Sequence, residues 1–344
     1  MDSDAMLVLD RSAIRRCLED IDVVGVVTRA LLSYARGHTI LPAEGYLAWQ
    51  NSRGCNARSL AMLGAVTDPD DSPHYGVKVI NAAVDNPARG IDRAGGVIML
   101  FDPETARPKV LADAAVLSAL RTAGYTMATI RVLGPAEPTS VAVIGCGALA
   151  RAHLELLARC CPSVDRAFVY DISAERMQAL ADWVAAEGLG ITVQPADSAA
   201  DCVGRSDLLI TVTVSDTPYI ESGWFTAPTF VAHVSLDDLT PAVLAGAAAI
   251  YVDDIGLVAD NPRRILGRMI ADGRITTGPG SRAQPYIRGT LASVLCGNTP
   301  AERPGSGHVI SNPFGMAVLD VALAAAVHDA ALGLGMGYTV DLTR

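Results

Sequence analysis

Residues 139–157, TSVAVIGCGALARAHLELL, carry an apolar run straight into glycines and then into an amphipathic helical pattern. That order predicts a strand, a tight turn and a helix. Val141 to Ile144 are β-branched or small, as suits a strand buried on both faces, and Gly145, Gly147 and Ala150 occupy the G-x-G-x-x-G/A positions. Gly145 permits the turn, Gly147 leaves room for a pyrophosphate against the backbone, and Ala150 lets the helix pack close to the strand. Amide groups at the helix start favour the anion.

The next apolar stretch, Ala167 to Tyr170, ends at Asp171, 26 residues after Gly145 and near the customary offset of about 20. A carboxylate there accepts hydrogen bonds from adenosine ribose hydroxyls and repels a 2′-phosphate. This favours NAD over NADP as cofactor, although Arg176 nearby acts in the opposite sense. The expected cofactor contacts are Gly145, Gly147, Ala148, Leu149, Asp171, Thr122 and Thr213. The plainer alternative is a glycine turn in some other α/β unit, with Asp171 only capping the SAERMQAL helix.

At 344 residues the chain can bury a large core, and two domains are expected. No run of 18 or more apolar residues lacks polar interruption, and the N-terminus has no basic start followed by an apolar segment. The expectation is a soluble, cytoplasmic protein. Seven cysteines without C-x-x-C or Cys/His ligand spacing point to reduced thiols and to no metal site. A net charge of −10 argues against nucleic acid and anionic membrane as partners, while leaving room for an anionic small molecule.

Taken in order, residues 6–9 read as an edge strand. Asp10 or Ser12 caps a helix through Cys17, and a second helix covers Ile21 to Arg36. Short alternating runs then continue to about Gly124, separated by Pro, Gly, Asp and Asn, and predict a mostly antiparallel sheet with a hairpin turn at Asp102–Thr105. A helix follows over roughly 114–133. Strands near Val141, Phe168, Ile191, Leu208, Thr229 and Ala249 alternate with helices, which implies a parallel, doubly wound sheet. Beyond a polar stretch, 276–307, Asn312-Pro313 reads as the cap and first turn of a buried helix that returns to the first domain. The expected fold is therefore α/β: a Rossmann dinucleotide-binding domain over 125–307, and a discontinuous α+β substrate and dimerisation domain over 1–124 and 308–344.

Only two lysines occur, Lys78 and Lys109, and Lys78 sits among β-branched residues in YGVKVI. Such a lysine either reaches solvent or is buried with an anionic partner. Arg121 precedes small residues that allow a ligand close approach; a salt bridge is its plainer role. Asp237 and Asp238 follow the strand TFVAHVS, where open α/β sheets place their ligands. One of the pair is a candidate general base, with Asp238 preferred, and the other a turn residue. Arg93 is a ligand for a carboxylate, a partner of Asp92, or a residue in solvent. Asn312 is a substrate contact or a plain cap, and Asp253 and Asp254 carry no proposed catalytic role. His233, near the Asp pair, stays open, while His153 and His328 read as ordinary residues.

The order of a β-rich domain, a Rossmann unit and a closing apolar helix, with YGVKVI, LRTAG, VIGCGALA, the Asp pair and SNPFGMAVLD, resembles the ornithine cyclodeaminase / mu-crystallin family over essentially the whole chain. Within it, GVKVI, DRAGGVIML, VTVSDTPYIE and NPFGMAVLD look most similar to the dehydrogenases that release 2,3-diaminopropionate from N-(2-amino-2-carboxyethyl)-L-glutamate in siderophore and peptide-antibiotic pathways. The resemblance implies NAD-dependent oxidation of a secondary amine, a pyridoxal-phosphate-dependent synthase as pathway partner, and a homodimer that protects the short strands of the first domain. It implies Arg121 as the holder of the substrate α-carboxylate, Lys78 as a carboxylate ligand with a proton-transfer role, and Asn312 and Asp320 near nicotinamide or substrate amine. Two departures stand out. Arg58 lies where cyclodeaminases carry a carboxylate, and Ser235–Pro241 replaces their glycine-rich turn, so that an anionic substrate fits Arg58 and Arg93 better than ornithine does. The alternatives are a cyclodeaminase or imine reductase of the same fold, and a non-enzymatic, crystallin-like dinucleotide- or small-molecule-binding protein.

Overall fold

A computed structural model describes residues 5–68, 72–279, 285–305 and 307–342, so the polar stretch 276–307 lies partly outside the described residues. The chain divides into two units, Met1–Arg121 with Met316–Arg344, and Thr122–Gly315.

In the first unit Asp10 caps the helix Arg11–Leu18 by accepting from the Ala13 amide, and Asp22 caps Val23–Ala35 by accepting from Gly25. The sheet runs in the order Tyr338–Asp341, Ala5–Leu9, Pro108–Asp113, Ala94–Phe101, Pro73–Ala83, Asn56–Thr67 and Thr39–Ile40, with Gly45–Gln50 also paired to Asn56–Thr67. All pairings are antiparallel except that of Ala5–Leu9 with Pro108–Asp113. The Asp102 carboxylate closes the expected hairpin by accepting from the amides of Glu104 and Thr105.

Residues 6–9, expected at a sheet edge, lie instead in an interior strand, Ala5–Leu9. Gly335, at φ +64°, ends the last helix in the left-handed region and turns the chain back, so that Tyr338–Asp341 pairs alongside. That helix, Ala317–Leu334, is long and apolar enough to cross a membrane by length and composition alone, yet it forms the core of this unit. It packs on the strands Asn56–Thr67, Pro73–Ala83 and Ala94–Phe101 and on both N-terminal helices. Gly64 lets it lie close, because a Cβ there would sit 3.0 Å from the Ala317 side chain.

The second unit holds an all-parallel sheet in the order Thr192–Pro195, Arg166–Tyr170, Ser140–Ile144, Leu208–Thr211, Phe230–His233, Val309–Ser311, Ala249–Val252 and Ile287–Thr290. Its five central strands, from Ser140–Ile144 to Ala249–Val252, are buried on both faces, which explains their continuous apolar runs. Two of these strands went unread in the sequence. Val309–Ser311 inserts between Phe230–His233 and Ala249–Val252, so residues 308–315 group with this unit, whereas the sequence boundary assigned them to the other. The Asn312-Pro313 pair does not start the last helix, which begins at Ala317 after an irregular turn. The amides of Phe314 and Gly315 in that turn donate to the Asp253 carboxylate, at 2.9 and 2.6 Å, and this holds the backbone out of helical conformation.

Candidate active site

Strand register in the first unit sets Met62, Lys78 and Ile98 in one row across three strands, on the face covered by the last helix. Lys78 is 1% exposed, and an ammonium so buried requires an anion. Asp320, in the first turn of the Ala317–Leu334 helix and itself fully buried, supplies it. Lys78 Nζ donates to Asp320 Oδ2 at 2.7 Å, and Arg121 Nε donates to Oδ1 at 3.0 Å. Ser118 Oγ lies 3.4 Å from the ammonium. Two cations thus share one carboxylate, and Glu44 adds a further negative field at the ammonium. Burial, helped by the Arg121 guanidinium, outweighs Asp320 and Glu44 and pulls Lys78 down from 10.5 to about 8.

Arg58 pairs with Ala82, four residues beyond Lys78, and so shares the lysine's sheet face at roughly 13 Å along the strand. It lines an open groove of about 480 Å³ with Arg11, Trp49, Asn81, Asn86 and Asp92. Arg11 in that groove donates to Asp92 at 2.6 Å and to Asp113 at 3.0 Å. Arg93, half-buried, immediately precedes the strand Ala94–Phe101, and its carbonyl accepts from the Ala83 amide. The fold thus joins Lys78 and Arg121 on one carboxylate, and places Arg58 and Arg93 toward the far end of the same strands.

In the second unit, the candidate groups follow the carboxyl ends of parallel strands. Gly145, at φ +96°, makes the turn where a Cβ would sit 2.8 Å from the Val212 carbonyl oxygen. Gly147 and Ala148 are exposed, Leu149 is half-buried, and the helix Ala148–Cys160 has no side-chain cap. A Cβ on Gly147 would meet no protein atom within 4 Å. Packing therefore does not demand glycine there, and the open space over unclaimed amides fits a pyrophosphate. The Asp171 carboxylate accepts from the Cys146 amide at 2.9 Å and the Ser173 amide at 3.0 Å, which fixes it against the glycine turn with acceptor capacity left for ribose hydroxyls. Thr122 lies on the helix Ala114–Leu133, and its carbonyl accepts from the Thr126 hydroxyl. His153 is a core residue bonded to the Leu149 carbonyl and Thr126, and burial lowers it to about 4.

The two aspartates after Phe230–His233 separate clearly. Asp237 accepts from Arg264 at 2.7 Å and from the Ile265 amide at 2.9 Å, with Arg268 at 3.5 Å. It ties the turn to the start of the Ile265–Ala271 helix, which removes it as a candidate acid–base group. Asp238 is fully buried, and its carboxylate accepts hydroxyls from Thr213 at 2.5 Å, Tyr219 at 2.9 Å and Ser235. A carboxylate offers about four acceptor directions, so about one is left for a substrate amine or water. Asn312, buried, presents its side-chain oxygen to His233 Nδ1 at 2.9 Å, a role that neither the cap nor the substrate-contact reading contained. The parts that sequence reasoning missed, Asp320 as partner of Lys78, and Tyr219 and Ser235 on Asp238, carry no local signal.

A doubly wound parallel sheet with this glycine turn and Asp171 defines a Rossmann dinucleotide-binding fold. The chain belongs to the ornithine cyclodeaminase/mu-crystallin family, whose sequence profile matches residues 6–334. It is 27% identical over 341 residues to the N-((2S)-2-amino-2-carboxyethyl)-L-glutamate dehydrogenase of Staphylococcus aureus (strain NCTC 8325 / PS 47), with 98% of each chain covered. The crystal structure of CmnK superposes with a TM-score of 0.93 at 49% identity, covering 99% of this chain and 100% of that one. An archaeal alanine dehydrogenase, solved as a dimer with bound NAD, gives a TM-score of 0.83 at 22% identity over 98% of this chain and 99% of its own.

Proposed function

We propose that this protein is an NAD-dependent dehydrogenase that cleaves N-(2-amino-2-carboxyethyl)-L-glutamate to 2,3-diaminopropionate and 2-oxoglutarate. The observation that carries the reading is the buried Lys78–Asp320–Arg121 cluster, whose two cations on a single carboxylate suit a carboxylate next to the reacting carbon. Arg58 on the same sheet face favours a substrate with further carboxylates over one with a cationic side-chain amine. Full-length similarity to the staphylococcal dehydrogenase supports the reaction.

Gly145, Gly147, Ala148 and Leu149 would hold the pyrophosphate of NAD and Asp171 the adenosine ribose; bound NAD supplies a hydride acceptor. Lys78 and Arg121 hold the α-carboxylate of the glutamyl part. Asp238 takes the amine proton as the α-carbon loses hydride and passes it to solvent, and the carboxylate so restored activates the water that adds to the C=N bond of the substrate. Collapse breaks the C–N bond, so that substrate, NAD and water become 2-oxoglutarate, 2,3-diaminopropionate, NADH and a proton. Such a product places the enzyme after a pyridoxal-phosphate-dependent synthase in siderophore or peptide-antibiotic biosynthesis. Purified protein given NAD and this substrate shows rising absorbance of reduced nicotinamide with one 2-oxoglutarate per turnover. No reduced cofactor, together with conversion of ornithine or lysine to a cyclic imino acid, overturns the reading.

The working form in this reading is a homodimer. On the sheet face opposite Lys78, Leu63, Tyr75 and Val97 are 46%, 38% and 38% exposed, beside half-buried Val77, Val79 and Met99. An apolar sheet face of this kind in a monomer calls for a cover, and a second copy of the same face supplies one.

A further inference from the structure

We propose that His233 and Asn312 are positioning residues that hold the Asp238 carboxylate in its reacting orientation, an inference that rests on Asp238 as the acid–base group. The turn Ser235–Asp238 leaves the strand Phe230–His233 through Leu236, a non-glycine residue at φ +75°. L-residues rarely adopt that region, and a turn containing one keeps its shape only when its surroundings hold it. Asp237 fastens one side of the turn to Arg264 and the Ile265 amide. On the other side, the amides of Asp238 and Leu239 donate to His233 Nε2 at 3.0 and 3.4 Å.

A backbone amide only donates, so Nε2 carries no proton, and the ring proton sits on Nδ1, which donates to Asn312 Oδ1 at 2.9 Å. Asn312 is anchored in turn: its amide donates to the Tyr251 carbonyl at 2.8 Å, and the two amides beyond Pro313 are held by Asp253. His233, Asn312 and Asp238 are all 2% exposed or less. The side-chain carbonyl of Asn312 therefore selects the His233 tautomer that can accept from the Asp238 backbone. Protonated His233 would set a second N–H against two amide donors and release the turn. Burial holds the ring below its ordinary value. Of the charged groups that face it, Asp238 and Asp237 favour the imidazolium, and Arg264 opposes it.

The test compares His233→Ala, His233→Gln, Asn312→Leu, Asn312→Asp and Asp238→Asn in the full-length enzyme with NAD and N-(2-amino-2-carboxyethyl)-L-glutamate. His233→Ala and Asn312→Leu lower kcat by about tenfold to a hundredfold with KM within about twofold, because the carboxylate-binding cations are untouched. His233→Gln, whose side-chain oxygen can accept from the turn, restores most of kcat. Asn312→Asp stabilises the imidazolium and moves the acid limb of kcat to higher pH than in the parent enzyme. Independently of turnover, nitrogen NMR of labelled histidine in the parent protein shows His233 protonated at Nδ1 and bare at Nε2. Unchanged kcat in His233→Ala and Asn312→Leu while Asp238→Asn is inactive overturns the inference and leaves the base in place. Full turnover by Asp238→Asn removes the acid–base assignment itself, and a proton on Nε2 overturns the geometry.

Discussion

Lys78 and Asp320 stand 242 residues apart in the chain, and their charged atoms meet at 2.7 Å. Asp320 also receives Arg121, so one carboxylate sets the charge state of two cations. Arg121 lowers the lysine and Asp320 raises it, hence removing either moves Lys78 in opposite directions. Lys78 binds a carboxylate only while protonated, and kcat/KM should fall as pH rises through about 8. In Asp320→Asn that alkaline limb shifts to lower pH; in Arg121→Ala it shifts to higher pH. Because the folded value lies below the unfolded 10.5, the unfolded chain binds more protons between pH about 8 and 10.5, and stability should rise with pH across that window. Urea melts of Lys78→Met over the same range should lack that rise.

Arg58 and Arg93 lie along the strands from Lys78, and their proposed work is binding. Arg58→Ala and Arg93→Ala should each raise KM about tenfold to a hundredfold with little change in kcat, corresponding to ~1.5–3 kcal/mol per charge-assisted contact. Arg58→Glu should be worse than Arg58→Ala, since it repels the same carboxylate. A KM within about twofold of the parent for Arg93→Ala would make Arg93 a surface residue.

The two glycines of the nucleotide turn answer to different forces. Gly147→Ala meets no protein atom, so its melting temperature should match the parent while its NAD dissociation constant rises. Gly145→Ala combines φ +96° with a Cβ 2.8 Å from a carbonyl oxygen, and it should destabilise the fold even without NAD. Calorimetry with and without NAD separates the two outcomes.

The apolar face of the first unit's sheet gives a test of assembly. Light scattering should return about 72 kDa, twice the 35.9 kDa chain. Leu63→Asp with Val97→Asp should return a monomer, since both side chains reach solvent in the single chain and their loss leaves no cavity in its core. A parent protein at the monomer mass would refute the dimer.

Local pattern was enough to read the glycine turn, a cap at Asp10 and the hairpin at Asp102, because each depends on atoms within a few residues. The apolar runs of the parallel strands were legible for the same reason: burial on both faces is written in consecutive side chains. Three-residue Val309–Ser311 was too short to show a period, and its place between two earlier strands is set by sheet pairing. The partner of Lys78, the separation of Asp237 from Asp238, and the bond from Asn312 to His233 belong to the tertiary structure alone. Adjacent aspartates look identical in sequence. What distinguishes them is that the strained turn at Leu236 aims one carboxylate at Arg264 and the other at Thr213 and Tyr219, and those distances exist only once the chain has folded.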